Sequence, residues 1–305
     1  MDFLPKQHLE IGNYIKYVNE ILHKCDKGIE YCKICPNEFV CSELEKDDFG
    51  LPDSTISDVL TAIQYALSKV PGYLNPDKRS ELRARIKNYI NESSVQEQKV
   101  WEDSILGILL DDKLANPAYK PKAGAGEIRT LFTYNPRIGF SASLKCIYAE
   151  NETSLQNTAA TLPGNIFLNS ILAVNQFVRS KQIQDKILPP VTYIKYHLED
   201  GVVKIIQRCN LNDIGLPAAL AYYSMLTRLT IPVNIVVTGG LDSRGTAIQA
   251  EPIGDKVETV LRELHFIDKI IVPKGAPLRV PVSRNIKIIE VSDLEQTINI
   301  TFERQ

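Results

Sequence analysis

The sequence predicts an α+β protein of two domains, in which an all-α amino-terminal domain precedes an α/β domain. Two patterns support this prediction. The first part of the chain repeats apolar residues at helical spacing, whereas short β-type runs alternate with helical patterns from Ile128 onward. The length of 305 residues, with 44% hydrophobic and 24% charged residues, is ordinary for a globular protein and sufficient for a sizeable core.

The amino-terminal part is predicted to consist of helices. Apolar residues spaced by three and four positions line one face of the first helix and stop just before Cys25; they are Ile11, Tyr14, Ile15, Val18, Ile21 and Leu22. Thr55 and Asp58 resemble a capping box, which predicts a second helix that ends before Pro71. Two further helices are predicted from the spacing of Leu82, Ile86 and Ile90 and of Val100, Trp101, Ile105, Ile108 and Leu109.

A linker is predicted at residues 111–126. This stretch has no apolar periodicity and contains Pro117, Pro121, Gly124 and Gly126. We therefore expect a helical domain at residues 1–120 and an α/β domain at residues 126–305.

The second domain is predicted to alternate strands with helices. Predicted strands lie at residues 130–134, 141–148, 191–197, 202–209, 233–237, 269–272 and 286–291. Predicted helices lie at residues 166–181, 216–229 and 255–265, and a short one begins at Ser292.

Charge and hydropathy exclude two broad classes of protein. The net charge of −2 and the pI near 6.2 argue against a strongly basic nucleic-acid-binding domain, although a local basic patch remains compatible with them. No apolar run approaches the roughly 20 residues of a membrane-spanning helix, and residues 1–10 lack the features of a signal peptide. We expect a cytoplasmic protein with no membrane partner.

Four of the six cysteines form a candidate metal site. Cys25, Cys32, Cys35 and Cys41 follow the spacing C-x6-C-x2-C-x5-C, whereas Cys146 and Cys209 lie far away. In a reducing compartment, clustered thiols favour a metal over disulfides, and thiolates suit both Zn²⁺ and a [4Fe–4S] cluster. His23 is an alternative ligand. The C-x2-C-x5-C part resembles the cysteine tail of iron–sulfur RecB-type nucleases, but no nuclease carboxylate motif accompanies it, so Zn²⁺ and [4Fe–4S] both stay open.

The carboxyl-terminal part resembles the proteolytic domain of Lon proteases. Residues 236–245 (VVTGGLDSRG), 252–256 (PIGDK) and 270–273 (IIVP) follow the order of the family's M-T-G-E-x-x-x-R-G, P-I-G-G-x-K and strand-ending I-P motifs. Residues 213–222 (DIGLPAALAY) are similar to the family's D-G-P-S-A-G-x-A segment, which carries the nucleophile. The resemblance covers residues 125–305 and implies a Lon-type α/β fold.

The resemblance also implies that the Ser–Lys dyad of this family is absent. Alignment of P-S-A-G places Ala218 at the nucleophile position, and an alanine has no group that can attack a carbonyl. The position of the general base falls on Glu258 or Thr259, and Lys256 lies two or three residues away, on a different side of the predicted helix. Gly240 replaces the acidic residue of T-G-E. We expect a proteolytically inactive domain.

The general arrangement is also similar to that of the RadA/Sms repair proteins. Those proteins combine a four-cysteine zinc motif with a Lon-like domain that has lost the dyad and forms rings. No G-x-x-x-x-G-K-[ST] loop occurs in this sequence, so ATP-driven work would need a separate ATPase chain. We therefore expect a scaffold or adaptor that forms homo-oligomers and binds a protein partner.

Two alternatives remain open. The chain could be an active peptidase with a displaced nucleophile, for which Ser224 and Ser243 are the candidates. It could also be a DNA-binding repair or defence component, for which Arg79, Arg83 and Lys87 recur along one predicted helix and would meet phosphates.

Overall fold

The computed structural model describes residues 107, 118–134, 138–149, 165–181, 183, 188–199, 202, 209–249, 266–276 and 286–302. The chain divides into two compact units, Met1–Pro117 with Arg262–His265 and Ala118–Leu261 with Phe266–Gln305. Every element named below belongs to the second unit. The predicted amino-terminal helices and the predicted helix at 255–265 lie outside the described residues, and the predicted domain boundaries stay predictions.

The described elements alternate between strands and helices. The strands are β1 (Glu127–Tyr134), β2 (Ile138–Tyr148), β3 (Ile194–Leu198), β4 (Cys209–Asn210), β5 (Ile235–Val237), β6 (Gly240–Leu241), β7 (Ala247–Ile248), β8 (Lys269–Pro273) and β9 (Lys287–Val291). The helices are α1 (Asn165–Ser180), α2 (Gly215–Thr227) and α3 (Leu294–Phe302), and short 3₁₀ turns precede β3 and α2 at Val191–Tyr193 and Asn212–Ile214.

The main sheet is mixed. Its strand order is β3-β2-β1-β5-β8-β9, with β4 paired to β1. The β1–β2 and β2–β3 pairs are antiparallel, whereas β1–β5, β5–β8 and β8–β9 are parallel. This arrangement confirms the mixed α/β architecture predicted for the second part of the chain. In the part of the chain that the structure describes, no helix is both long enough and apolar enough to span a bilayer.

Helix α2 is the centre of the helical layer. It packs on β1 and β2, while α1 and α3 pack against it. Residues 215–224 are all buried, so the helix has no exposed face along this length. A predominantly apolar helix is stable inside a core, and α2 is packed between the sheet and the two other helices.

Three local features differ from the sequence-based expectations. Residues 191–193 form a 3₁₀ turn instead of the start of β3. A strand was predicted at residues 202–209, of which the structure describes the first and the last. Val202 is helical, and Cys209 is the first residue of β4. The β6–β7 hairpin was not predicted, because strands this short carry no periodicity.

The predicted linker also differs from the structure in its second half. Residues 118–126, which we call the strap, belong to the second unit, which we call the sheet unit, and the carboxyl-terminal end of the strap is hydrogen-bonded to β2. Gly126 accepts a hydrogen bond from the Cys146 N–H at 2.7 Å, and Ala125 forms an antiparallel bridge with Thr230. A proline- and glycine-rich composition therefore indicates an irregular backbone here, not a free one.

Candidate functional site

The segment that resembles the family's nucleophile motif lies where the start of α2 meets β6. The two backbones are in direct contact because both carry glycine at the crossing. A Cβ atom on Gly215 would lie 2.6 Å from the Leu241 nitrogen, and one on Gly240 would lie 2.8 Å from the Asn212 carbonyl oxygen. Each distance is shorter than a Cβ contact can be, so only glycine fits at either position.

Backbone hydrogen bonds fasten this crossing. The Leu216 N–H, in the first turn of α2, donates to the Gly239 carbonyl at 2.9 Å, and the Gly239 N–H donates to the Asp213 carbonyl at 2.7 Å. The first N–H groups of a helix have no partner within the helix and often bind anions. Here the Leu216 N–H is bonded to a protein carbonyl instead.

Gly239 holds the loop after β5 in a conformation that requires glycine. Its φ of +125° is in the region that other residues rarely adopt, and a Cβ there would lie 2.3 Å from the ring of Pro273. The proline that ends β8 therefore packs in the space left by the missing side chain. The glycine of T-G-G and the proline of I-I-V-P, which are distant in sequence, are in contact.

Ala218 lies one turn into α2 and is completely buried, with an exposed fraction of 0%. Its carbonyl oxygen accepts a hydrogen bond from the Tyr196 hydroxyl at 3.1 Å. The Tyr196 ring in turn stacks at a tilt on Phe167, with 4.4 Å between ring centroids. This position therefore has neither a nucleophilic group nor access to solvent.

Ser224, the first candidate for a displaced nucleophile, is a structural residue. It is 0% exposed. Its hydroxyl accepts a hydrogen bond from the Gly126 N–H at 2.8 Å and donates to the Leu229 carbonyl. Both functions of the hydroxyl are thus satisfied by backbone groups, and no substrate can reach it.

Ser243, the second candidate, lies in a turn built by Asp242. The Asp242 carboxylate accepts hydrogen bonds from the backbone N–H groups of Arg244 and Thr246, at 2.9 and 2.8 Å. Partial burial opposes ionisation, but the backbone hydrogen bonds from Thr246 and Arg244 outweigh it and lower the pKa of Asp242. Ser243 is half-buried, and within the described ranges no histidine or lysine is hydrogen-bonded to it. Among the described residues, Ser243 therefore has no base that would activate it.

The two described cysteines are not activated thiols. Burial raises the pKa of Cys146 to about 12, although a hydrogen bond with Tyr196 lowers it in part. Burial also raises the pKa of Cys209 to about 12. Because the thiolate is the reactive form, both thiols are protonated and unreactive near neutral pH.

The cysteine cluster (Cys25, Cys32, Cys35 and Cys41), the basic residues Arg79, Arg83 and Lys87, and the candidate base positions Lys256, Glu258 and Thr259 lie outside the described residues. His23 also lies outside them. Among the residues that are described, no three His, Cys, Asp or Glu side chains form a group able to hold a metal ion.

Two residues near Ala218 were missed by the sequence analysis. Asp213, in the 3₁₀ turn before α2, is only 2% exposed, and Tyr196 reaches α2 from β3. An aspartate directly before an apolar helix was a signal for the first. No local pattern indicates the second, because its contact joins distant parts of the chain. No protein-family model matches the chain.

Proposed function

We propose that the chain is a proteolytically inactive, Lon-like scaffold or adaptor protein. The observation that carries this proposal is the environment of Ala218. The residue aligned with the nucleophile of the family is an alanine, it is completely buried, and its carbonyl is hydrogen-bonded to Tyr196.

Peptide hydrolysis by a serine peptidase needs three features at one place. These are an accessible nucleophile, a base that takes its proton, and N–H donors directed at the developing oxyanion. The start of α2 offers no nucleophile, and its Leu216 N–H is bonded to Gly239. Ser224 and Cys146 are buried, and Ser243 has no base bonded to it among the described residues. These observations together favour a binding role.

The packing around this site supports a protein maintained for its shape. Gly215, Gly240 and Gly239 are each in contact with backbone or proline atoms that exclude any side chain. Such contacts hold the fold rigid even where no reaction takes place. A rigid fold of this kind can present a fixed surface to a second copy of the chain and to a protein partner, such as a separate ATPase.

The proposal includes a metal-binding amino-terminal part. Four cysteines within a short stretch supply the soft thiolate donors that Zn²⁺ and [4Fe–4S] clusters prefer. Cys25, Cys32, Cys35 and Cys41 would hold the metal, whose binding stabilises the fold around it.

A fluorophosphonate probe tests the proposal directly, because it labels activated serine nucleophiles. We expect no labelling of the native chain beyond that of the Ser224→Ala and Ser243→Ala variants, and no cleavage of an unfolded substrate protein. Labelling that is lost on Ser243→Ala alone would identify an active peptidase with a displaced nucleophile and would overturn the proposal. Ser224→Ala is the matched control, since Ser224 is inaccessible.

A further inference from the structure

We propose that a cleft beside β1 binds the carboxylate group of a small aliphatic ligand, and that Arg129 recognises this group. The cleft is lined by four segments of the sheet unit, namely residues 121–124 of the strap, residues 127–129 of β1, Ser143 of β2, and residues 231–233 and 235. None of these residues belongs to the crossing of α2 and β6, so this site is separate from the one described above. The inference goes beyond the proposed function and does not depend on it.

The size of the cleft limits what it can hold. Its cavity has a volume of about 30 Å³. A cavity needs about 10–15 Å³ to hold one water molecule, so this one has space for about two. That space suits a single small group, such as a carboxylate or an ammonium, and not an aromatic ring. The rest of a ligand would lie in the open mouth of the cleft.

Arg129 brings a buried positive charge to the cleft. Only 11% of its side chain is exposed. Its Nη1 donates to the Ser141 hydroxyl at 3.0 Å, and its Cζ lies 5.7 Å from the centre of the Phe266 ring. Its Nη2 lies 3.6 Å from the Glu199 Oε1, which is too far for a hydrogen bond, and that oxygen accepts from the Ser143 N–H at 2.8 Å.

The hydrogen-bonding capacity of Arg129 exceeds what the described residues use. A guanidinium has five N–H donors, and the bond to Ser141 is its one side-chain hydrogen bond to a described residue. A buried charge is stable when it is paired and hydrogen-bonded, and a carboxylate matches a guanidinium with two parallel hydrogen bonds. The geometry of Arg129 therefore favours a carboxylate as the group that enters the cleft.

The other charges at the cleft favour a singly charged anion. Lys122 is exposed and adds a positive charge from the strap. Glu127 and Glu199 are negative, but the Glu127 Oε1 already accepts from the Ser143 hydroxyl at 2.7 Å, and the Glu199 side chain is 48% exposed. Water screens exposed charges more than buried ones, so Arg129 has the stronger effect on a bound ion. The two carboxylates disfavour a doubly charged ion such as phosphate.

The remaining wall of the cleft is apolar. Ile128 and Ile231 are each 2% exposed, and Pro232 and Val233 are half-buried. An aliphatic group next to the carboxylate would bury apolar surface against this wall. A free short-chain acid and the carboxyl terminus of a peptide that ends in an aliphatic residue both have this chemistry.

A nuclear magnetic resonance titration of the full chain tests the inference, with butyrate as the probe. Butyramide and butylammonium have nearly the same shape but no negative charge, and inorganic phosphate has a different shape and a higher charge. We expect a Kd on the order of 1 mM for butyrate and binding at least about tenfold weaker for the other three. N-acetylvaline represents a peptide terminus: tighter binding than butyrate would assign the site to peptide ends, and weaker binding would assign it to free acids.

Variants locate the site by the sign of their effect. Lys122→Gln should weaken butyrate binding by about 2- to 5-fold, as expected for the loss of an exposed charge. Glu127→Gln keeps an oxygen that can accept from Ser143 but removes a negative charge, so it should tighten binding by about 2- to 5-fold, which a purely structural role would not do. Lys195→Gln is the matched control, because Lys195 is in β3 and does not line the cleft.

Arg129→Gln should weaken butyrate binding at least about tenfold, since it removes a charged donor. Because Arg129 also contacts Ser141 and Phe266, its urea midpoint must show that the sheet unit is still folded. If it is not, the Lys122 and Glu127 variants decide.

Three results would overturn the inference. The first is no saturable binding of butyrate up to about 20 mM. The second is binding of butyramide, butylammonium or phosphate as tight as that of butyrate. The third is a Kd for butyrate that neither Lys122→Gln nor Glu127→Gln changes relative to Lys195→Gln.

Discussion

Replacement of Gly215 by alanine tests the crossing of α2 and β6. Gly215 is in the first turn of α2 with helical dihedral angles (φ −62°, ψ −47°), and at an open helical site the change to alanine stabilises a helix by about 1 kcal/mol. Here the new Cβ would lie 2.6 Å from the Leu241 nitrogen and 3.2 Å from the Gly240 carbonyl carbon. Both are backbone atoms, so the two elements must move apart.

The expected effect is a loss of stability. Forcing an extra methyl into a packed site costs about 1–3 kcal/mol, and a contact with backbone atoms lies at the upper end of that range. The carbonyl of Gly215 also accepts a hydrogen bond from the Ser170 hydroxyl at 2.7 Å, which ties the same turn to α1 and limits its movement. After the gain in helix propensity is subtracted, we expect Gly215→Ala to destabilise the sheet unit by about 2 kcal/mol.

Urea unfolding followed by circular dichroism measures this change. With a slope of about 2 kcal/mol per molar urea, the midpoint should fall by about 1 M. Gly124→Ala is the matched control: the atom nearest to its new Cβ is the Glu127 carboxylate oxygen, at 3.3 Å on a flexible side chain. We expect it to stay within about 0.5 kcal/mol of the wild type. A Gly215→Ala chain as stable as the wild type, or more stable, would refute the close packing of α2 against β6.

Four further predictions address the site and the metal. Ala218→Ser should not be labelled by the fluorophosphonate probe, because the position is completely buried, and labelling would contradict that burial. The same variant should lower the free energy of unfolding in urea by about 1–3 kcal/mol, because it buries a new hydroxyl. Ser224→Ala should cost about 1–3 kcal/mol, since it leaves the buried Gly126 N–H without its acceptor, and an unchanged urea midpoint would contradict this. The pKa of Cys146 is raised by burial from 9.0 to about 12, so its contribution to stability is complete below pH 9 and is lost as the pH rises toward 12; Cys146→Ala should flatten the fall in urea midpoint between pH 8 and pH 10. Anaerobic purification should yield a chain that contains either zinc or iron with sulfide, and metal analysis and the visible spectrum distinguish the two. Cys35→Ser should lower the amount of bound metal. Full metal occupancy in that variant would exclude the cysteine cluster as the metal site.

Several elements could be predicted from local sequence. Short runs of β-type residues located β1, β2, β5, β8 and β9, and helical spacing located α1 and α2, each within a few residues of its observed bounds. These predictions were correct because the apolar residues that mark each element lie within the element itself. The period of the apolar residues is then visible without knowledge of the partner.

Other features could not be predicted because they depend on contacts between distant residues. The strap has the composition of a linker, and only its bonds to Ser224 and Cys146 show that it is fixed. The β6–β7 hairpin, which contacts the start of α2 at Gly240 and Leu241, has too few residues for a period. The contact of Tyr196 with Ala218 joins β3 to α2 across the core.

The sequence by itself determined the mixed α/β character of the second unit, the absence of a nucleophilic side chain at residue 218, and the four thiols available for a metal. These are properties of residue type and local spacing. Only the tertiary structure decided that Ala218 is inaccessible, that Ser224 is a structural hydroxyl, and that the strap is held to the sheet. Burial and hydrogen bonding are set by which distant segments meet, and a linear pattern does not contain that information.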